Sequence, residues 1–300
     1  LNDNLSFKLY HLMQFKGMNR RKIHAYLSYD PMLERINQHS PTELQQTFHL
    51  HPSQATSLHY YLNSKRHIEL NYLDYKKENP ITFFDSDYPI ELREIPDSPL
   101  ILYWKGNKEL LRMPKVSIIG TRNPSQSASH KIDLFLKPTV ENNIAIVSGL
   151  AYGIDAMAHQ YALSHNGSTI AILGFGYHHI YPKEHQLLFN KIIESGLILT
   201  EYHPKLRPQK WYFPERNRII SGLSAATIII EASERSGTMI TADQALEQGK
   251  EVFSIPDSIF LDQAQGCLKL IQDGAIPLVK PEELTNWYVE NHLIYLQEKV

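Results

Sequence analysis

Between residues 205 and 218 the chain carries five cations, Lys205, Arg207, Lys210, Arg216 and Arg218, against one acid, Glu215, and interleaves them with Trp211, Tyr212 and Phe213. Cations beside aromatic rings are the combination that holds a nucleic-acid single strand, with phosphates on the charges and bases on the ring faces. Pro214 suits the first position of a helix. On that helix Arg216 shares a side with Ile219, Ile220 and Leu223, while Asn217, Arg218 and Ser221 point elsewhere. A solvated face accounts for Arg218. An arginine on the apolar side of a helix start is expected to reach over strand ends instead. The three aromatics taken alone fit a hydrophobic core equally well.

The strands come from the second half of the chain. Near-continuous apolar runs fall at 116–120, 144–149, 169–174, 197–202, 227–232, 251–256 and 276–279, separated by amphipathic stretches such as 154–165, 214–223 and 239–248. Continuous rather than alternating apolar runs belong to parallel strands covered on both faces. Strands alternating with helices predict βαβ units and a doubly wound, mostly parallel α/β sheet. Ligands in such sheets bind beyond the carboxyl ends of the strands. The turns there read "GTRNPS" (120–125), "SGLAYGID" (148–155), "GFGYHHIYP" (174–182) and "ASERSGTMIT" (232–241). Their small residues let a ligand approach the backbone, and the helix N-termini that follow offer free N–H groups to an anion. Each feature also has a plain structural explanation. Glycines make tight turns, Asp155 complements a helix dipole, His159 packs inside a helix, and Cys267 is a small buried residue.

Composition narrows the function classes. The 300 residues are 42% hydrophobic and 21% charged, enough for a sizeable core, and the net charge of −2 excludes coating of duplex DNA through bulk charge while allowing a local basic stripe. One cysteine gives no internal disulfide and no thiolate metal site, in keeping with a reducing compartment. No signal-peptide pattern opens the sequence and no run of about 18 apolar residues could span a bilayer, so a cytoplasmic protein without membrane insertion is expected. The His178–His179 pair lacks a partner at helical spacing, and no metal or cofactor is expected. Walker, zincin and nucleophile-elbow motifs are missing, and "GFGYHH" follows the third strand rather than the first. Residues 1–75 are polar and helical in pattern, residues 76–112 form a linking segment with extended pieces, 113–280 form the α/β core, and 281–300 form a terminal helix with Trp287, Tyr288, Leu293 and Leu296 partly apolar.

"SGLAYGIDAMAH" (148–159), "TIAILGFGYHHIYP" (169–182), "FPERNRIISGLS" (213–224), "ERSGTMITADQALEQGKEVFSIP" (234–256) and "GCLKLIQDGA" (266–275) occur in order and at natural spacing. Together, from about residue 88 to 280, they resemble the bacterial DNA-processing protein A (DprA/Smf) family. The resemblance implies an extended Rossmann-like fold that binds single-stranded DNA, forms a homodimer, helps load the RecA recombinase in natural transformation, and has no catalytic residue. It implies that Arg122, Ser148, Gly149, Lys183, Arg216, Arg218, Ser236, Gly237 and Thr238 line one DNA pocket. Lys210 joins them on charge and position. "FKGMNRRKIHAYL" (15–27) echoes a helix-hairpin-helix or SAM-like helical domain, with Gly17, Met18 and Asn19 at the hairpin. The chain has Asp257 where the family has glycine after Pro256, and His185 where it has asparagine. Two other functions remain open. One is a nucleotide-processing enzyme of the lysine-decarboxylase-like Rossmann group, depending on Asp243 or Glu231. The other is a protein-interaction scaffold without DNA contact.

Overall fold

The computed structural model describes residues 4–291, and these divide into two units. One holds the chain up to Tyr88 with Asp97–Tyr103, the other Pro89–Pro96 and the described chain from Trp104 onward.

The first unit is built from helices α1 (Leu5–Met13), α2 (Arg20–Leu27), α3 (Pro41–Phe48), α4 (Pro52–Asn63) and α5 (Lys65–Glu78). Asn4, Asn19 and Ser40 cap the first three by accepting from backbone N–H groups in the opening turns. Strand β1 (Ile81–Thr82) then pairs antiparallel with the start of β2 (Ile101–Gly106). The short helix α6 (Ile90–Arg93) lies between them in sequence.

The second unit holds β3 (Lys115–Ile119), α7 (Ala128–Glu141), β4 (Ala145–Ser148), α8 (Ile154–Ser164), β5 (Thr169–Leu173), α9 (Gln186–Ser195), β6 (Leu197–Thr200), α10 (Tyr212–Gly222), β7 (Ala226–Ile229), α11 (Gly237–Glu247), β8 (Glu251–Ser254), α12 (Gln265–Gln272), β9 (Ile276–Pro277) and α13 (Glu282–Glu290). Its strands lie in the order β6-β5-β4-β3-β7-β8-β9, all parallel. The expected mostly parallel, doubly wound sheet is the one found. Strands β3 to β7 are buried at every residue, which is why each reads as a mostly apolar run without period-2 alternation. Helices α7, α8 and α13 close one core with Ile118, Ile146, Ile228 and Phe253. Helices α10 and α11 lie outside that core and pack on each other and over β5, β7 and β8.

The winding runs outward from β3 through β4 and β5 to β6, then returns through α10 to β7 on the other side of β3. That makes the carboxyl ends of β3 and β7 the topological switch point, where such sheets open a crevice. Helix α10 begins two residues earlier than Pro214 suggested. Proline is tolerated there because the first turn's N–H groups have no intrahelical acceptor. For the terminal segment, α13 covers residues 282–290, with Tyr288 buried and donating to the Lys115 carbonyl at 2.6 Å. Leu293 and Leu296 lie outside the described residues. Among the described residues no helix is long and apolar enough to cross a membrane, and no group of His, Cys, Asp and Glu could hold a metal ion.

Candidate nucleic-acid interface

A cleft of about 590 Å³ opens at the switch point, lined by the β3 turn, the α8 start, Tyr181 after β5, the start of α10 and the start of α11. Six of the ten expected site residues meet in it: Arg122, Lys210, Arg216, Ser236, Gly237 and Thr238.

Arg216 forms its floor. Only 4% of the residue is exposed, and Nη1 donates to the carbonyls of Gly149, at 2.7 Å, and Ile172. Arg216 therefore reaches over the ends of β4 and β5, as its place on the apolar side of α10 predicted. The approach is so close that a Cβ on Gly149 would lie 2.5 Å from the guanidinium. Glycine at 149 thus makes room for Arg216, and its N–H is spent on Asp155 Oδ2 at 3.1 Å. Asp155 also accepts from the Ala151 N–H at 3.4 Å. Burial pushes its carboxyl above the usual carboxylate range, with the Arg216 charge and the backbone donors pulling the other way. Burial, with a smaller contribution from the neighbouring Arg122 guanidinium, outweighs the favourable field of Asp155 and lowers Arg216 to about 10. Asp155 is the one carboxylate among the described lining residues.

Arg122 and Lys210 are exposed at the rim. Among the described residues neither has an ion-pair or hydrogen-bond partner for its charged group. Opposite them, Ser236 caps α11 but leaves its buried hydroxyl without a hydrogen-bond partner. The first N–H groups of α11 carry the positive end of the helix dipole. Two guanidiniums, an ammonium and a helix N-terminus thus converge on a space with one committed carboxylate, an arrangement that draws an anion. Tyr181, 50% exposed, and Phe213 stand in the same cleft with ring centroids 5.4 Å apart. Tyr181 escaped the sequence reading, although its place in the turn after the third core strand was the available signal.

The turn bearing Arg122 is tied down from behind. Glu231, just past β7 and 1% exposed, accepts from the Ser125 N–H at 2.8 Å, the Ser125 hydroxyl at 2.5 Å and Lys131 Nζ at 2.7 Å. Its backbone carbonyl accepts from the Thr121 N–H at 2.7 Å. Lys131 also pairs with Asp257. Burial would lower the Lys131 ammonium, but the two carboxylates outweigh it and hold it above its ordinary value.

Four expected site residues lie elsewhere. Ser148 is fully buried, its hydroxyl donating to the Ile118 carbonyl at 2.6 Å inside the sheet. Gly149 serves Arg216 as described. Lys183 is exposed at the start of a short 3-10 turn and is not among the lining residues. Arg218 reverses the expectation of a solvated side chain: it is 5% exposed and forks onto Glu201 at 2.8 and 2.7 Å. Asp243 is exposed and away from the cleft lining, and Glu231 is sealed by Lys131, so neither carboxylate required for nucleotide processing reaches the cleft.

His159 sits beneath the cleft with no exposed surface, Nδ1 2.6 Å from the Thr169 hydroxyl and Nε2 without a partner. Burial, reinforced by Arg216 and His185, lowers its pKa to about 3. The unfolded chain therefore binds a proton near pH 6.5 that the folded chain refuses, and stability falls as pH drops through that window. Between about pH 7 and pH 5 this costs about 2 kcal/mol. Urea denaturation across that range is expected to show this loss in the wild type and much less of it in His159→Gln.

The family model for DNA recombination-mediator protein A matches residues 79–288. The chain belongs to that family. The DNA processing protein DprA of Bacillus subtilis is 41% identical over 220 residues, covering 73% of this chain and 74% of the relative. That of Streptococcus pneumoniae is 43% identical over 202 residues, 67% of this chain and 71% of the relative. An X-ray structure of the S. pneumoniae DprA superposes with a TM-score of 0.83 at 34% identity, over 95% of this chain and 98% of that one. A Helicobacter pylori DprA structure, described for its single-stranded DNA binding mode, superposes with a TM-score of 0.64 at 31% identity, over 71% of this chain and 96% of that one. In this recombination-mediator family member Asp257 serves Lys131 as a second counter-charge.

Proposed function

We propose that this protein binds single-stranded DNA, with the phosphate backbone running through the switch-point cleft. The observation that carries the reading is the convergence of Arg122, Lys210, Arg216 and the α11 N-terminus on a space whose single lining carboxylate is buried and already bonded. The single-stranded DNA binding mode of the H. pylori relative supports it. Phosphates would sit on the guanidiniums and the α11 N–H groups, with bases turned toward Tyr181 and Phe213. Stacked duplex bases cannot offer their faces to such rings, which favours the single strand. Backbone contacts carry no sequence information, so base identity should matter little.

In this reading the protein is a binding protein of the cytoplasm, not an enzyme. It protects incoming DNA and assists loading of the RecA recombinase in natural transformation, acting as a homodimer whose two clefts raise avidity along one strand. Residues 113–280 would be the DNA-binding part and the N-terminal helices a domain of their own.

Fluorescence anisotropy of labelled oligo-dT across a salt series tests the reading. Arg122→Ala should weaken binding and flatten the slope of log affinity against log salt by about 0.7, one phosphate contact on a single strand. Because the side chain is exposed and unpaired, the melting temperature should not move. A wild type that ignores oligo-dT at low salt would remove the proposal.

A further inference from the structure

We infer that Trp211 is a base-stacking platform outside the cleft, taking a nucleobase of the single strand as it leaves the Lys210 rim. The inference rests on the proposed path of the strand and extends it by one built element.

Trp211 is 62% exposed, an unusual position for the largest apolar side chain. It is nevertheless held in place. As the N-cap of α10 it has a fixed backbone, and its ring meets Tyr212 edge-on at 5.8 Å. Tyr212 in turn lies 4.2 Å from the Tyr202 ring, and Tyr202 donates to Glu215 at 2.9 Å. A T-shaped contact engages at most one face of the indole, and with the residue 62% exposed the other is open to a base.

Position makes this more than a stray surface tryptophan. The residue before it, Lys210, lines the cleft, so the two Cα atoms are about 3.8 Å apart. Lys205 and Arg207 are exposed on the same loop. Cations on the backbone side of an open ring give a strand both its phosphate and its base contact, and such stacking is indifferent to base identity. Inside the cleft Tyr181 and Phe213 offer the first aromatic surface, and Trp211 offers the next one outward.

The full chain supplies its own reporter, since Trp104, Trp211 and Trp287 are its three tryptophans. Intrinsic fluorescence should be quenched on titration with a long oligo-dT and far less with one short enough to fill the cleft alone. Trp211→Phe should bind the long oligonucleotide almost as tightly while losing the quench. Trp211→Ala should bind it about tenfold more weakly, the size of one lost base stack, with short oligonucleotides unaffected. Its melting temperature should match the wild type because the ring is exposed. If Trp211→Ala binds long and short oligo-dT as the wild type does, the platform is overturned and the cleft stands. If the wild type binds neither, the cleft reading falls and the platform with it.

Discussion

Arg216→Met is expected to cost the fold about 3–5 kcal/mol at neutral pH, the range for leaving a buried charge uncompensated, because Arg216 and Asp155 are both buried and feel each other's charge without a direct bond. The loss comes from what stays behind. Asp155 is 6% exposed, and without Arg216 two backbone N–H groups are its main support. Burial already raises this carboxyl, and removing the guanidinium raises it further. A folded-state pKa above the unfolded value gives stability at low pH that is lost as pH rises through it. The deficit of Arg216→Met should therefore shrink on acidification, where Asp155 takes up a proton, and Asp155→Asn should restore most of it at neutral pH. Urea denaturation of the two single variants and the double variant measures this. The rescued double variant is expected to fold without binding oligo-dT, since the cleft floor then carries no charge. That separates the binding role of Arg216 from its role in holding the ends of β4 and β5.

The double duty of Arg216 shows what a sequence can convey. Its reach over strand ends followed from one helix face, because Ile219, Ile220 and Leu223 had to point into the sheet and took Arg216 with them. The core strands were legible for a similar reason, since burial on both faces leaves them mostly apolar, with a few small hydroxyl residues such as Ser117 and Thr227 that bond within the sheet. Arg218 was not legible, because its partner Glu201 is on the far side of a loop and no local pattern announces it. Ser148 was ambiguous in the sequence, because a small hydroxyl residue at a strand end suits a ligand and suits the Ile118 carbonyl equally well. The Lys131–Glu231–Asp257 cluster joins three elements distant in sequence.

That cluster gives the second large effect. Glu231→Gln should cost about 3 kcal/mol of stability, because the carboxylate serves Ser125 twice and neutralises a Lys131 whose side chain is only 12% exposed. The amide still accepts one of these bonds but cannot hold the ammonium, and Asp257 alone must balance it. Binding should fall as well, by about tenfold, because the turn carrying Arg122 is fixed through Ser125 and loses its orientation. The two consequences are separable. If Glu231 acts on DNA only by aiming Arg122, then Glu231→Gln in an Arg122→Ala background should leave oligo-dT affinity unchanged while still lowering stability. Groups acting through one another are non-additive, whereas independent contributions add. A double-mutant cycle read by anisotropy, with stability from urea curves alongside, distinguishes the cases. Additive losses in affinity would mean that Glu231 supports the cleft as a whole, and full coupling would make it the residue that positions Arg122.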